Sequence, residues 1–217
     1  MRFRPIALVV LALFSWQNDA VALEEPEYTV VRTVGSIELR HYPPYLVAEV
    51  DVSGDFRDGG NDAFRILAGY IFGDNQTAEK MNMTAPVESR STGSGEKMAM
   101  TAPVTSVTEA GSDTTTFAFV MERKYTAESL PVPNDQRIRI RKTPDRHMAV
   151  IRYSGRWTEK NYDEHLAELR ATLAEAGIGT TGDPILARYN SPFSLPFARR
   201  NEVMLEVSDI RSGPTGR

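Results

Sequence analysis

The sequence predicts an α+β fold, an antiparallel sheet curled towards a barrel and carrying two helices. Three observations lead there. The stretches 37–56 (IELRHYPPYLVAEVDVSGDF) and 138–157 (IRIRKTPDRHMAVIRYSGRW) align at a constant offset of 101, with identical pairs that include Ile37/Ile138, Arg40/Arg141, Pro43/Pro144 and Gly54/Gly155. Each copy reads as a strand, a proline turn and a second strand, so each predicts a hairpin. An apolar pattern of helical period follows each copy, and short strand-like runs follow each helix. The order hairpin–helix–strands therefore occurs twice, over about 27–121 and 137–207, within a domain of 23–209.

The elements follow in chain order. Phe64, Leu67, Ala68 and Ile71 recur at i, i+3, i+4 and i+7, and Gly73 is placed to stop that helix. In the second half Tyr162, Leu166, Leu169 and Leu173 line up in the same way, with Gly177 after the last turn. Thr158 or Asn161 caps this second helix, the latter with Glu164 in capping-box spacing. Further strands are expected at 117–121, 185–189 and 202–207. Many short strands with two helices make an α+β domain.

Composition narrows the chemistry. The chain has 217 residues, 41% of them hydrophobic, enough to bury a core. It contains no cysteine, which excludes disulfides, thiolate metal sites and cysteine nucleophiles. Three histidines leave little room for a multi-histidine metal centre, and a net charge of −4 argues against a nucleic-acid surface. Neither HExxH nor GxSxG occurs. A binding protein, not an enzyme, is the expectation.

The N-terminus reads as an address. Arg2 and Arg4 precede an apolar run over 6–13, and Ala20-Val21-Ala22 forms a small-x-small cleavage site. The run is shorter than the roughly 20 residues that span a bilayer. Residues 1–22 are thus expected to be a removed signal peptide, leaving an exported chain without a membrane span, periplasmic or extracellular. A disordered tail is expected over 210–217.

Candidate ligands are few. His41 continues the apolar face of Ile37 and Leu39, where a neutral imidazole could serve as an axial ligand. On spacing alone, a histidine that bonds a carbonyl beside Pro43-Pro44 is the more ordinary outcome. Residues 79–87 (EKMNMTAPV) and 96–104 (EKMAMTAPV) differ at one position. They carry two M-x-M pairs, Met81 with Met83 and Met98 with Met100. Thioethers suit Cu(I) or haem iron; methionine equally fills cores or lines apolar pockets.

Together IELRHYPPYLVAEV, DAFRILAGYIFGDN, the doubled MTAPV motif and ARYNSPFSLPFARRNEVMLEV resemble the SOUL haem-binding family, in that family's order and from about residue 27 to 207. The doubled motif resembles its bacterial branch. The resemblance implies a distorted antiparallel β-barrel with two flanking helices, built from two related halves. It also implies non-covalent binding of haem or a related tetrapyrrole in an apolar groove, as a carrier or buffer. Arg40-His41-Tyr42 match a motif whose histidine is proposed as axial iron ligand in some members. Carried onto this chain, the groove is lined by Phe64, Leu67, Ile71, Met81, Met83, Met98 and Met100. A general small-molecule effector-binding module and a Cu(I)-binding protein stay open beside it.

Overall fold

The computed structural model describes residues 23–53, 58–77, 95–191 and 193–208. The expected signal peptide, the first M-x-M pair (Met81 and Met83) and the C-terminal tail lie outside the described residues.

The chain forms β1 (Thr29–Val34), β2 (Ile37–Tyr42), β3 (Leu46–Ser53), α1 (Asp58–Ile71), β4 (Asn75–Gln76), β5 (Val104–Thr108) and β6 (Thr114–Val120). The second part adds β7 (Val132–Pro133), β8 (Arg139–Lys142), β9 (Arg146–Tyr153), α2 (Glu159–Glu175), β10 (Thr180–Arg188) and β11 (Asn201–Val207). Nine strands make one antiparallel sheet in the order β1-β2-β9-β11-β10-β5-β6-β3-β8, and β4 pairs with β7. The fold is α+β, as the periodicities predict.

Two expectations need correction. The proline turns do not make hairpins: β2 pairs with β9, and β3 pairs with β8. Each turn carries the chain from one end of the sheet to the other. The two connections meet, with Thr143 N donating to Tyr45 O at 2.8 Å and Tyr45 N to Thr143 Oγ1 at 3.0 Å. Exchanging β2, β3, β5 and β6 with β8, β9, β10 and β11 reverses the strand order, so the halves interlock about a pseudo-two-fold axis at the β5–β10 pair.

The sheet is also not a closed barrel. Tyr42 ends β2 and Leu46 begins β3, so strands near opposite ends of the sheet are joined by a link of only about 14 Å at full stretch. That forces a strong curl. Closure would need β1 to pair with β8, and it does not. The reason lies in β8, a four-residue strand with the charged sequence RIRK and mostly exposed, whose charges blunt an edge against further pairing.

Each helix covers its own part of one sheet face. Leu67, Tyr70 and Ile71 of α1 pack on Ala48, Val50, Phe117 and Phe119. Leu169 and Leu173 of α2 pack on Ile37, Leu39, Ile151, Val203 and Leu205. Both helices end in the same capping motif. Asp74 N bonds Gly69 O at 2.9 Å and Gly73 N bonds Tyr70 O at 3.4 Å, while Ile178 N bonds Leu173 O at 2.9 Å and Gly177 N bonds Ala174 O at 3.1 Å. Gly73 and Gly177 take φ of 111° and 68°, the left-handed region the motif requires. At the start of α2, Thr158 Oγ1 accepts from Asn161 N at 3.2 Å, so Thr158 is the cap.

The second EKMAMTAPV copy is not a strand until Val104. It docks under the end of α1, with Met98 N on Ile71 O at 2.8 Å. Asn75 clamps it, accepting from Glu96 N at 2.9 Å and donating to both Glu96 O and Tyr70 O at 2.8 Å.

Candidate ligand-binding cleft

Because α1 covers β3 and β6 and α2 covers β9 and β11, the central strands are left open between the helices. Their exposed face floors a cleft of about 1120 Å3. Alternation on the strands puts Ser106 and Thr108 of β5, Thr115 of β6, and Pro184 and Leu186 of β10 on this floor. The stretch from Trp157 to Asp163, the entry and first turn of α2, makes one wall. Burial pushes the Tyr162 hydroxyl up to about 12, with Asp163 adding to it, and the same wall carries the charged side chains of Glu159, Lys160 and Asp163.

Two residues on from Leu186, the same face of β10 carries Arg188. Its guanidinium lies 5.3 Å from the ring of Trp157 and 5.8 Å from that of Phe117. Burial pulls its pKa down to about 10, against the opposing influence of Tyr153. Trp157 is fixed by a 2.7 Å bond from Nε1 to Asn201 Oδ1, and Arg199 lies over the same ring at 4.5 Å. Phe64 of α1 is 43% exposed, its ring centroid 5.6 Å from that of Phe119 on β6. The cleft lining is rich in hydroxyls and carries one large aromatic ring pair, Trp157 and Tyr162, with the Arg188 guanidinium beside Trp157.

The residues singled out in the sequence are dispersed. Phe64 is partly exposed on α1 and is not among the residues that line the cleft. Leu67 and Ile71 are buried in the core beneath α1 and present nothing to a ligand there. Met98 belongs to the same core, with Met100 packed against it. His41 stands at the end of β2, where Nε2 meets both oxygens of Asp145 at 3.0 and 2.9 Å. Its ring is 4.9 Å from that of His147, and it lines a separate depression with Pro26, Tyr28 and Arg123. His165 stacks on Tyr153 at 4.1 Å and bonds Asn161 O through Nδ1 at 2.6 Å.

Reasoning from the sequence missed Arg188 and Trp157. A signal for the first was present: an arginine on the apolar face of a strand that reads PILAR is out of place in a simple core. Trp157 was visible only as the counterpart of Phe56.

The opposite face of the sheet is built differently. Glu202 is fully buried and accepts from Arg40 at 2.9 and 3.2 Å, from Arg200 Nε at 3.0 Å and from the Tyr189 hydroxyl at 2.8 Å. Burial alone would raise its pKa; Arg40 and Arg200 outweigh that and hold it below the usual value. Residues 23–28 strap this face, with Glu25 on Arg200 at 2.9 Å and Arg40 over the Tyr28 ring at 4.2 Å.

The architecture is an open antiparallel sheet of two interlocked halves with a cleft between its helices. The SOUL heme-binding protein family matches over residues 23–94 and 89–206, and the chain belongs to that family. Heme-binding protein 1 of Xenopus tropicalis is 27% identical over 188 residues, covering 86% of this chain and 84% of that protein. Among solved structures, a hydrolase from Listeria innocua superposes with a TM-score of 0.56 at 16% identity, covering 82% of this chain and 94% of that one. The EcmrR C-terminal domain does so with a TM-score of 0.56 at 10% identity, covering 84% and 99%. At such identities these two structures share the fold.

The cleft volume of about 1120 Å3 lies just above the roughly 300–1,000 Å3 typical of ligand sites. Among the described residues that line it there is no histidine or methionine, so iron ligation is not supplied by its walls.

Proposed function

We propose that the protein binds haem or a related tetrapyrrole non-covalently in the cleft between the helices, as an exported carrier or buffer and not as an enzyme. The observation that carries this is the Trp157 wall of the cleft, with the Arg188 guanidinium 5.3 Å from its ring. A flat ring gains affinity there by apolar and aromatic burial. A propionate gains a charge-assisted bond from the guanidinium, whose five N–H donors let it hold a carboxylate alongside its contacts within the protein. Membership of a heme-binding family supports the ligand class. The N-terminal pattern over 1–22 supports export, and an open cleft favours exchange over retention. His41 lines a separate depression, so a role for it as axial ligand would seat the haem there and not in the cleft.

Haem titration of the chain from residue 23 onwards tests this. A saturable Soret band at one haem per chain, weakened in Arg188→Met, is the expected result. Absence of the band, or saturation only at high nonspecific stoichiometry, overturns haem binding. The His41→Ala variant separates the two places: a moved Soret maximum assigns it as ligand and puts the haem at its depression, overturning the cleft as the site, and an unchanged spectrum removes that role while leaving the cleft intact. Unchanged affinity in Arg188→Met places the ligand elsewhere.

A further inference from the structure

The β10–β11 loop springs from the end of the cleft, between Arg188 and Asn201, and carries Phe193, Leu195 and Phe197. Their exposures are 95%, 61% and 76%, an unusual concentration of large apolar surface within five residues. Hydrogen bonds tie its described residues together. Ser194 N bonds Ser191 O at 3.0 Å, Ala198 N bonds Leu195 O at 2.9 Å, and Arg200 N bonds Asn190 Oδ1 at 2.6 Å. Arg199 Nε closes the turn on Ser194 O at 2.9 Å, and Gly155 N anchors it from outside on Pro196 O at 2.9 Å. The backbone is satisfied internally, so the tip presents side chains and few free polar groups.

We infer that this loop is a lipid-contact element that dips Phe193, Leu195 and Phe197 into a membrane surface and so brings the mouth of the cleft to the bilayer. The stretch 189–200 (YNSPFSLPFARR) contains no acidic residue; Arg200 is engaged by Glu25 and Glu202, and Arg199 by Trp157 and Ser194 O. Arg156, exposed, lies next to the glycine that anchors the loop and is the cation beside the tip. An apolar tip with an exposed cation at its base and no carboxylate of its own matches a surface whose outer layer is phosphate and whose interior is hydrocarbon. A protein partner would need a recess for a protruding tip; a bilayer accepts it without one. The inference does not require haem: an apolar ligand released from lipid would reach the cleft by this route, whichever tetrapyrrole it is.

The test uses haem-free protein and vesicles of phosphatidylcholine, with and without phosphatidylglycerol. The wild type is expected to float with vesicles, and Phe193→Trp to give a blue-shifted emission quenched by brominated lipid. The triple variant F193S/L195S/F197S should partition more weakly by more than about tenfold, since three apolar side chains lose their burial. Its melting temperature should be unchanged, because these side chains are exposed. Failure of the wild type to float with either vesicle overturns the inference. So does flotation retained in the triple variant, which would assign binding to charge alone. Loop-dependent self-association without lipid would make it a protein–protein surface instead and overturns it equally. None of these outcomes touches the haem titration, which is read in solution.

Discussion

Arg40 and Arg188 are both buried arginines on strands of one sheet, yet they meet opposite surroundings. On the strapped face, Arg40 is held by Glu202, and its pKa is pushed up despite burial. On the helix face, Arg188 lies near the rings of Trp157 and Phe117, and burial pulls its pKa down to about 10. The first arrangement consumes its charge internally and ties β2 to β11. The second sets a guanidinium beside aromatic rings, where burial disfavours its charged form. Buried charge in this molecule therefore stands in two different settings.

The largest effect is expected on the strapped face. Glu202→Ala leaves Arg40 and Arg200 without their shared acceptor and should cost about 3–5 kcal/mol of stability, read by denaturant unfolding. Acid tests the same network. Glu202 has a folded pKa below its unfolded value of about 4.3, so its contribution is fully present above that pH and is lost as pH falls through the folded pKa. Glu202→Gln should flatten the stability–pH curve in that acid range. A curve that keeps its slope would show that the network is not the acid-sensitive element.

Leu67→Ala separates core from cleft. A fully buried leucine under α1 should cost about 2–5 kcal/mol on truncation, with haem affinity unchanged at temperatures where the variant is folded. A selective loss of affinity would return Leu67 to the groove that the family resemblance implied. Arg188→Met should weaken haem by about ten- to a hundredfold, as for loss of a hydrogen bond to a charged group of about 1.5–3 kcal/mol. Arg188→Lys should restore part of it. The smallest effect is expected at the α2 cap, where Thr158→Ala should lower stability by about 1 kcal/mol, visible as a modest fall in melting temperature.

Much of the fold was legible because its signals are local. The i, i+3, i+4, i+7 patterns place α1 and α2, and glycines with the right spacing end both. Thr158 over Asn161 as cap was one of two readings that the sequence left open, and hydrogen-bond geometry chose between them. The duplication at offset 101 anticipates the symmetric strand order. The partners of β2 and β3 were not legible, since a proline turn fits a hairpin and a crossing link equally well. The site was less legible still. Phe64, Leu67 and Ile71 share one apolar stripe of α1, and the sheet covers Leu67 and Ile71 while Phe64, two turns before Ile71, stays 43% exposed.

By itself the sequence determined the helices, the strand-rich halves, their repetition and the family, because these depend on periodicity and motif order along the chain. Tertiary structure decided which strands pair, that the sheet stays open, that Met98 goes into a core, and that Arg188 and Trp157 meet at the wall of a cleft. Those outcomes depend on segments tens of residues apart sharing one curled sheet. The local sequence carries no term for what lies across from it, and burial and charge compensation are fixed only by that opposite neighbour.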